Sequence, residues 1–265
     1  MNKVVAKMTG ALIPLAVLLL WEVAVRKAWL PPSLSASPSA IVKKCTDLLL
    51  HENLAQHLKV SLLRIVAGVS IGTILGILSG LILGQLRWAD RLFSPFIGLL
   101  APVPVVVWMP FVIMAVGSDE TYKVILAVIA SFLIIHINTF RGVQSISNQY
   151  LELAEMYQKN IWEKIWHIFL PGAASSILTG LRLTLAIAWI VIFFVEYSSS
   201  QAGTEGLGWF INDARQMGRV EDEYAGVLLL AIVGYATDLM VVLLQNKMLR
   251  WSTAIDISIQ DRSLL

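Results

Sequence analysis

Six long apolar runs constrain this chain more than any other feature: residues 9–25, 61–84, 92–116, 122–140, 174–195 and 224–244. A helix needs about 20 apolar residues to cross the ~30 Å hydrocarbon core of a bilayer, and each run is near that length. Inside a bilayer every backbone N–H and C=O must find a partner in the structure, which leaves helices and closed barrels. The runs lack the alternation of barrel strands. The expected fold is an all-α membrane protein, six transmembrane helices forming one domain over residues 1–265. Composition agrees, with 57% hydrophobic and 14% charged residues, whereas soluble proteins carry about 25% charge.

Much chemistry is excluded by what is missing. A net charge of +2 offers nothing to a nucleic acid. The single cysteine, Cys45, cannot form an internal disulfide, and no His/Cys/carboxylate spacing suggests a metal site. No nucleophile–base pair is legible, so no catalytic residue is expected. The dipeptide Gly-Lys occurs nowhere, so the chain lacks the phosphate-cradling loop. If nucleotide energy is used, another chain binds it.

The first run imitates a secretory signal, with Val23-Ala24-Val25 as a loose cleavage site, but its length favours an uncleaved helix. Residues 29–40, WLPPSLSASPSA, read as an extended linker, and 40–50 as a short amphipathic helix. Six spans place both termini on one side. That side holds ten Lys and Arg, the other side eight (Lys123 among them), so the positive-inside rule puts the termini in the cytoplasm.

Within the spans, Gly68, Gly72, Gly76, Gly80 and Gly84 recur every four residues. Such a stripe lets helix backbones approach closely in lipid, either inside the chain or against another subunit. Pro102, Pro104 and Pro110 interrupt the third run, and irregular backbone at membrane depth survives only against protein or water. Arg64, Arg182, Glu196 and Asp238 are charges inside apolar runs and need partners or a route to water. His136 reads as a hydrogen-bonded structural residue.

One stretch interrupts the apolar pattern. Residues 150–171, YLELAEMYQKNIWEKIWHIFLP, form a mixed-charge amphipathic island. It reads as two short helices, the first capped by Asn148 with Leu153, Ala154 and Tyr157 along one apolar edge. Gln158-Lys159-Asn160 breaks it. Asn160 with Glu163 has the spacing of a capping box, and Ile161, Trp162, Ile165, Trp166 and Phe169 make one stripe of the second helix. Leu170-Pro171-Gly172 is expected to stop that helix. The residues alone fit an interfacial helix or a protein-docking helix equally well.

The island resembles the signature loop of ABC-importer permeases, Glu-Ala-Ala, three residues, Gly, nine residues, Ile-x-Leu-Pro. Glu152, Ala154, Ile168, Leu170 and Pro171 match, while Leu153 replaces an alanine and Gln158 the glycine. The likeness extends over about residues 31–251. It rests on His57-Leu58 with Ser61-Leu62-Leu63-Arg64, Pro104 with Pro110, Ile137-Asn138-Thr139, Thr179-Gly180-Leu181-Arg182, Glu196, Glu205-Gly206-Leu207-Gly208 and Leu249-Arg250-Trp251. It is closest to the nitrate/sulfonate/bicarbonate/taurine group, the aliphatic sulfonate permeases in particular.

This resemblance implies a type I ABC-importer permease fold with a cytoplasmic coupling loop over residues 141–172, in a bacterial inner membrane. It implies a second copy of the permease in a homodimer, two cytoplasmic ATPase subunits that bind ATP and Mg, and a periplasmic or lipoprotein solute-binding protein. This chain would carry no cofactor. Glu152, Ala154, Tyr157, Asn160, Ile161, Trp162, Ile165, Trp166 and Pro171 are the expected ATPase-docking residues. Pro104, Trp108, Pro110, Arg182 and Trp189 are expected along the translocation pathway. The expected cargo is a small oxyanion, sulfonates first, then nitrate or bicarbonate. A thiamine-precursor-like nutrient is the alternative cargo, and an ATP-independent channel or secondary transporter the alternative class.

Overall fold

A computed structural model describes residues 3–31, 35–100, 102–199 and 206–249. Part of the 29–40 linker, Glu205, Arg250 and Trp251 lie outside the described residues. The described chain is helical: α1 Lys3–Arg26, α2 Pro38–His51, α3 Leu54–Gln85, α4 Arg87–Leu100, α5 Met109–Val116, α6 Glu120–Gln144, α7 Asn148–Met156, α8 Ile161–Lys164, α9 Leu170–Tyr197, α10 Leu207–Gln216 and α11 Val220–Met248. Among the described residues, α3, α6, α11 and the continuous helix Ile161–Tyr197 are long and apolar enough to cross a membrane. The broken pair Asp90–Leu100 and Val105–Val116 passes the same test when its two pieces are taken together, as a broken span or a re-entrant loop. The first expected span, 9–25, lies wholly within α1.

The chain divides into two compact units. One unit comprises residues Met1–Ser61 and Glu196–Val233. Here α2 is capped by Ser37, whose side chain accepts from the Ala40 N–H, and buries Ile41, Cys45 and Leu48 at helical spacing. Glu22 on α1 accepts from the N–H and hydroxyl of Ser39, at 3.0 and 2.8 Å. Lys44 on α2 reaches Asp222 on α11 at 3.3 Å. His57 stacks on Trp209 of α10 with ring centroids 5.6 Å apart.

The other unit comprises Leu62–Val195 and Gly234–Leu265. Its axis is the α3–α6 contact, where the glycine stripe finds its partner. A Cβ built on Gly72, Gly76, Gly80 or Gly84 falls 2.5–2.8 Å from the Cβ of Ser131, Ile135, Thr139 or Val143 respectively, and Gly68 lies likewise against Ala127. Five glycines face five α6 residues, both series spaced by four. The stripe is therefore packing inside the chain. His136 sits in the same contact, bonded to Ser79 Oγ at 2.8 Å and flanked by Phe132 and Phe140. It is structural, as its sequence setting suggests.

The proline-rich run breaks as expected. The axes on either side are bent by 91°, and a single 3-10 turn, Val105–Trp108, follows Pro104. Pro110 falls in the first turn of α5, where a missing N–H costs nothing. Lys123, counted above on the side opposite the termini, is fully buried and pairs with Glu120 at 3.0 Å. Glu120 also receives Arg64 at 2.6 Å. Arg64 is 4% exposed and Glu196 fully buried, so neither side chain snorkels to water.

Candidate functional site

The island folds into a helical hairpin whose local geometry follows from a few residues. α6 ends near Gln144, and Ser147, one residue before the expected cap, closes the N-terminus of α7 by accepting from the Gln149 N–H. Asn148 is the first helical residue, because a cap must keep extended backbone, and Ser147 has it (φ −60°, ψ 137°). At the other end of α7, the Gln158 N–H bonds to Glu155 O and the Lys159 N–H to Ala154 O, both at 2.9 Å. These two bonds define a Schellman turn with Gln158 at its left-handed position, φ +50°. The glycine-type turn of the signature thus persists with a Cβ-bearing residue, at a cost of about 1–2 kcal/mol.

α8 then begins with the capping box read from the sequence. Asn160 Oδ1 accepts from the Glu163 N–H at 2.9 Å, and Glu163 accepts from the Asn160 N–H at 3.0 Å. Lys159 adds an ion pair to Glu163 at 2.9 Å. The Lys159 hydrogen bond, then that of the Asn160 N–H, hold the Glu163 carboxyl below the usual carboxylate range.

Pro171 does not end this helix, contrary to expectation. A π turn over Ile165–Phe169, with the Leu170 N–H reaching Ile165 O, precedes it and leads directly into α9. Widening the helix by one residue per turn relieves the clash of the proline ring with the preceding carbonyl. The resulting helix, Ile161–Tyr197, has 37 residues and is about 55 Å long at 1.5 Å per residue. That exceeds the ~30 Å hydrocarbon core, so the helix is longer than one crossing requires.

One face of the hairpin is fixed to the helices beneath. Phe169, Ala173 and Ile177 form a core cluster with Leu81 and Val143, against which Leu151 and Ile165 pack. Gly142 and Gly172 allow this approach: a Cβ on either would meet Ser176 or Ile146 side-chain atoms at 2.7–2.8 Å. Ala154 is buried and Ile165 half-buried, so these two expected docking residues sit on the inner face. The single stripe read for the second helix is thus divided.

The other face is open. Tyr157 is 72% exposed, Trp162 69% and Trp166 64%, and Ile161, Glu152, Asn160 and Pro171 are exposed as well. Tyr150, Leu153 and Met156 join them, of which Tyr150 and Met156 are not among the residues expected from the sequence. The i, i+3, i+7 spacing of Tyr150, Leu153 and Tyr157 was the available signal. A cleft of ≈ 440 Å³ opens beside this face between Ser147, Tyr150, His167 and Pro171.

The expected pathway residues divide in the same way. Pro104 lines a cleft of ≈ 390 Å³ with Pro102, Ala130, Ile134, Leu183 and Ile187. Trp108 packs against Phe111 and the Tyr122–Leu126 core. Trp189 is buried, and its indole N–H donates to Thr237 Oγ1 at 3.0 Å. Arg182 meets Asp238, the partner that a charge inside an apolar run demands: Nε donates to Oδ1 at 2.6 Å and Nη2 to Oδ2 at 2.9 Å.

In the first unit, three separated stretches of the family likeness converge. Glu196 accepts from Ser61 Oγ at 2.8–2.9 Å and from the Gly208 N–H at 2.9 Å. Ser61 in turn accepts from the Leu207 N–H at 2.8 Å. A buried carboxylate and a hydroxyl thus satisfy the first amides of α10, where the helix dipole favours negative charge.

Residues 72–250 match the family described as "Binding-protein-dependent transport system inner membrane component". The chain is 31% identical, over 92% of its length and 87% of the other, to a Bacillus subtilis protein named as an aliphatic sulfonates transport permease, SsuC. It is 30% identical, over 72% of its length and 68% of the other, to the bicarbonate transport system permease protein CmpB of Synechococcus elongatus. Its fold is similar to that of a bacterial ABC transporter involved in import of the acidic polysaccharide alginate. That likeness has a TM-score of 0.65 and 14% identity and covers 93% of this chain and 99% of that one. The chain therefore belongs to the binding-protein-dependent transport system inner membrane components, the membrane-spanning permeases of ABC importers.

Proposed function

We propose that this permease moves a small oxyanion, a sulfonate before nitrate or bicarbonate, into the cytoplasm by ATP-driven alternating access. The observation that carries the reading is the exposed aromatic face of the α7–α8 hairpin. Tyr157, Ile161, Trp162 and Trp166 present a large apolar patch at the end of a 37-residue helix that continues into the membrane. Contiguous exposed patches of this kind mark protein contacts, and aromatic residues dominate the binding energy of such contacts. The patch fits a cleft on a cytoplasmic ATPase, with Glu152, Asn160 and Pro171 at its rim.

In this reading six spans cross the inner membrane within a single domain, with both termini and the 141–172 loop cytoplasmic. Two copies of the permease share a pathway, each docked to one ATPase subunit, and a solute-binding protein delivers cargo from the other side. ATP and Mg stay on the ATPase. Closure of the ATPase pair moves the hairpins, and because the π turn and α9 continue each hairpin without a break, the motion is passed into the membrane as a rigid-body shift. The oxyanion preference is supported by the substrates in the relatives' names, sulfonates and bicarbonate, and by Arg182 at membrane depth.

Co-purification tests the docking. Tagged wild-type permease is expected to retain its ATPase, and Glu152→Ala with Trp162→Ala to lose it while staying folded. Undiminished retention by the double variant contradicts the proposal.

A further inference from the structure

We propose that Arg182 and Asp238 form an attenuated oxyanion site: Arg182 offers its open edge to the anion, and Asp238 orients the guanidinium and weakens its hold. This rests on the oxyanion-importer reading above and names the group that meets the cargo. Arg182 lies eight residues into the 174–195 run and Asp238 six residues from the end of 224–244. At 1.5 Å per residue these are similar depths, about 12 and 9 Å. Both side chains are open on the chain surface there, Arg182 51% and Asp238 37% exposed. Charges at that depth do not face lipid tails; they face water or protein.

The chain's other intramembrane arginine behaves differently. Arg64 is buried, and its neighbour Lys123 is buried with it around Glu120, so they serve packing. Arg182 is fixed yet accessible. Its Nε and one Nη2 N–H are taken by the two Asp238 oxygens. A guanidinium has five N–H donors, so three remain, and Nη1 has no partner among the described residues. That second edge is a fork suited to two oxygens of a sulfonate, nitrate or bicarbonate. The Trp189–Thr237 hydrogen bond, beside Asp238, ties α9 to α11 and holds the pair in register.

Asp238 makes the site suitable for transport. A lone arginine in a low-dielectric setting would retain an anion, whereas a neutral pair attracts it through directed N–H groups alone. A translocation site must bind firmly enough to admit its cargo and weakly enough to release it. Asp238 is thus a positioning residue, and affinity and turnover should respond to it in opposite directions.

The test uses the purified permease–ATPase complex, with radiolabelled ethanesulfonate binding measured by equilibrium dialysis. ATP-driven uptake is measured in proteoliposomes supplied with the binding protein. Asp238→Asn should bind ethanesulfonate at least about tenfold more tightly and turn over more slowly. Arg182→Gln should neither bind nor transport. The uncharged pair Arg182→Gln with Asp238→Asn, which keeps two polar side chains, should melt near wild type and still fail to bind. Unchanged or weaker binding by Asp238→Asn, or normal uptake by the uncharged pair, overturns the proposal; the uncharged pair alone decides if Asp238→Asn does not fold. A wild-type complex that takes up none of ethanesulfonate, taurine, nitrate and bicarbonate overturns the importer reading itself, and this inference with it.

Discussion

Adding one methyl group to the glycine stripe should separate α3 from α6, and the cost can be worked position by position. At Gly72 an alanine Cβ would stand 2.5 Å from Ser131 Cβ, 2.7 Å from Val128 O and 2.9 Å from Phe132 N. Carbon atoms pack best at about 3.5–4.0 Å, so the helices must part by roughly 1 Å. Two of the three obstructing atoms are backbone and have no rotamer to yield. Overpacking of this kind costs about 1–3 kcal/mol, offset by the ~0.5–1 kcal/mol an alanine gains over glycine within a helix. Gly72→Ala should therefore destabilise by up to about 2.5 kcal/mol. Gly98→Ala, where a Cβ meets nothing within 4 Å, should be neutral or stabilising by up to about 1 kcal/mol.

Gly84 offers a sharper check, because its close neighbours are Val143 Cβ and Cγ1 at 2.8 and 2.9 Å, with backbone only at 3.4 Å. Gly84→Ala should cost less in a Val143→Gly background than in wild type. Denaturant unfolding of the purified protein in detergent, followed by tryptophan fluorescence, measures each value. Equal stabilities for Gly72→Ala and Gly98→Ala, or an identical cost of Gly84→Ala in both backgrounds, would refute the reasoning.

Four further outcomes follow from the hairpin and from the Glu196 cluster. Gln158→Gly should stabilise the hairpin by about 1 kcal/mol, seen as slower hydrogen exchange over residues 153–163; unchanged or faster exchange contradicts the left-handed turn. Asn160→Ala should cost about 0.5–2 kcal/mol by removing the cap, readable in the same exchange profile. Because the Glu163 pKa is lowered on folding, its contribution is complete above the ordinary carboxylate pKa of about 4.3. It is lost as pH falls through the lowered value, so exchange at residues 160–165 should stay protected at pH 5 and rise only in stronger acid. Glu196→Ala leaves the Gly208 N–H and the Ser61 hydroxyl without an acceptor, at about 1–3 kcal/mol for each unmet donor; a wild-type melting profile would show that the cluster contributes nothing.

Much of this was legible in the chain because it depends on local rules. Apolar run length gave the helical membrane class, glycines spaced by four gave a close helix contact, and Asn160 with Glu163 gave a capping box that the structure reproduces atom for atom. What stayed hidden depends on the third dimension. Periodicity put Ile161, Trp162, Ile165 and Trp166 on one stripe, but the cluster of Leu81, Val143 and Phe169 takes up Ile165 and leaves the other three exposed. Pro171 read as a stop because a π turn leaves no sequence mark. Nothing local ties Ser61 to Glu196 and Gly208, and the pairing of Arg182 with Asp238 joins residues 56 positions apart.

The central claim is that this permease imports a small oxyanion on power received through its cytoplasmic hairpin. It is tested most directly by ATP-dependent uptake of radiolabelled ethanesulfonate into proteoliposomes holding the permease, its ATPase and its binding protein. The account predicts uptake that needs ATP inside the compartment holding the ATPase, and that falls at least about tenfold in Trp162→Ala with Trp166→Ala, as loss of a hot-spot contact worth 2 kcal/mol or more requires. Uptake that continues without ATP on an ion gradient, or at the wild-type rate in that double variant, would contradict it.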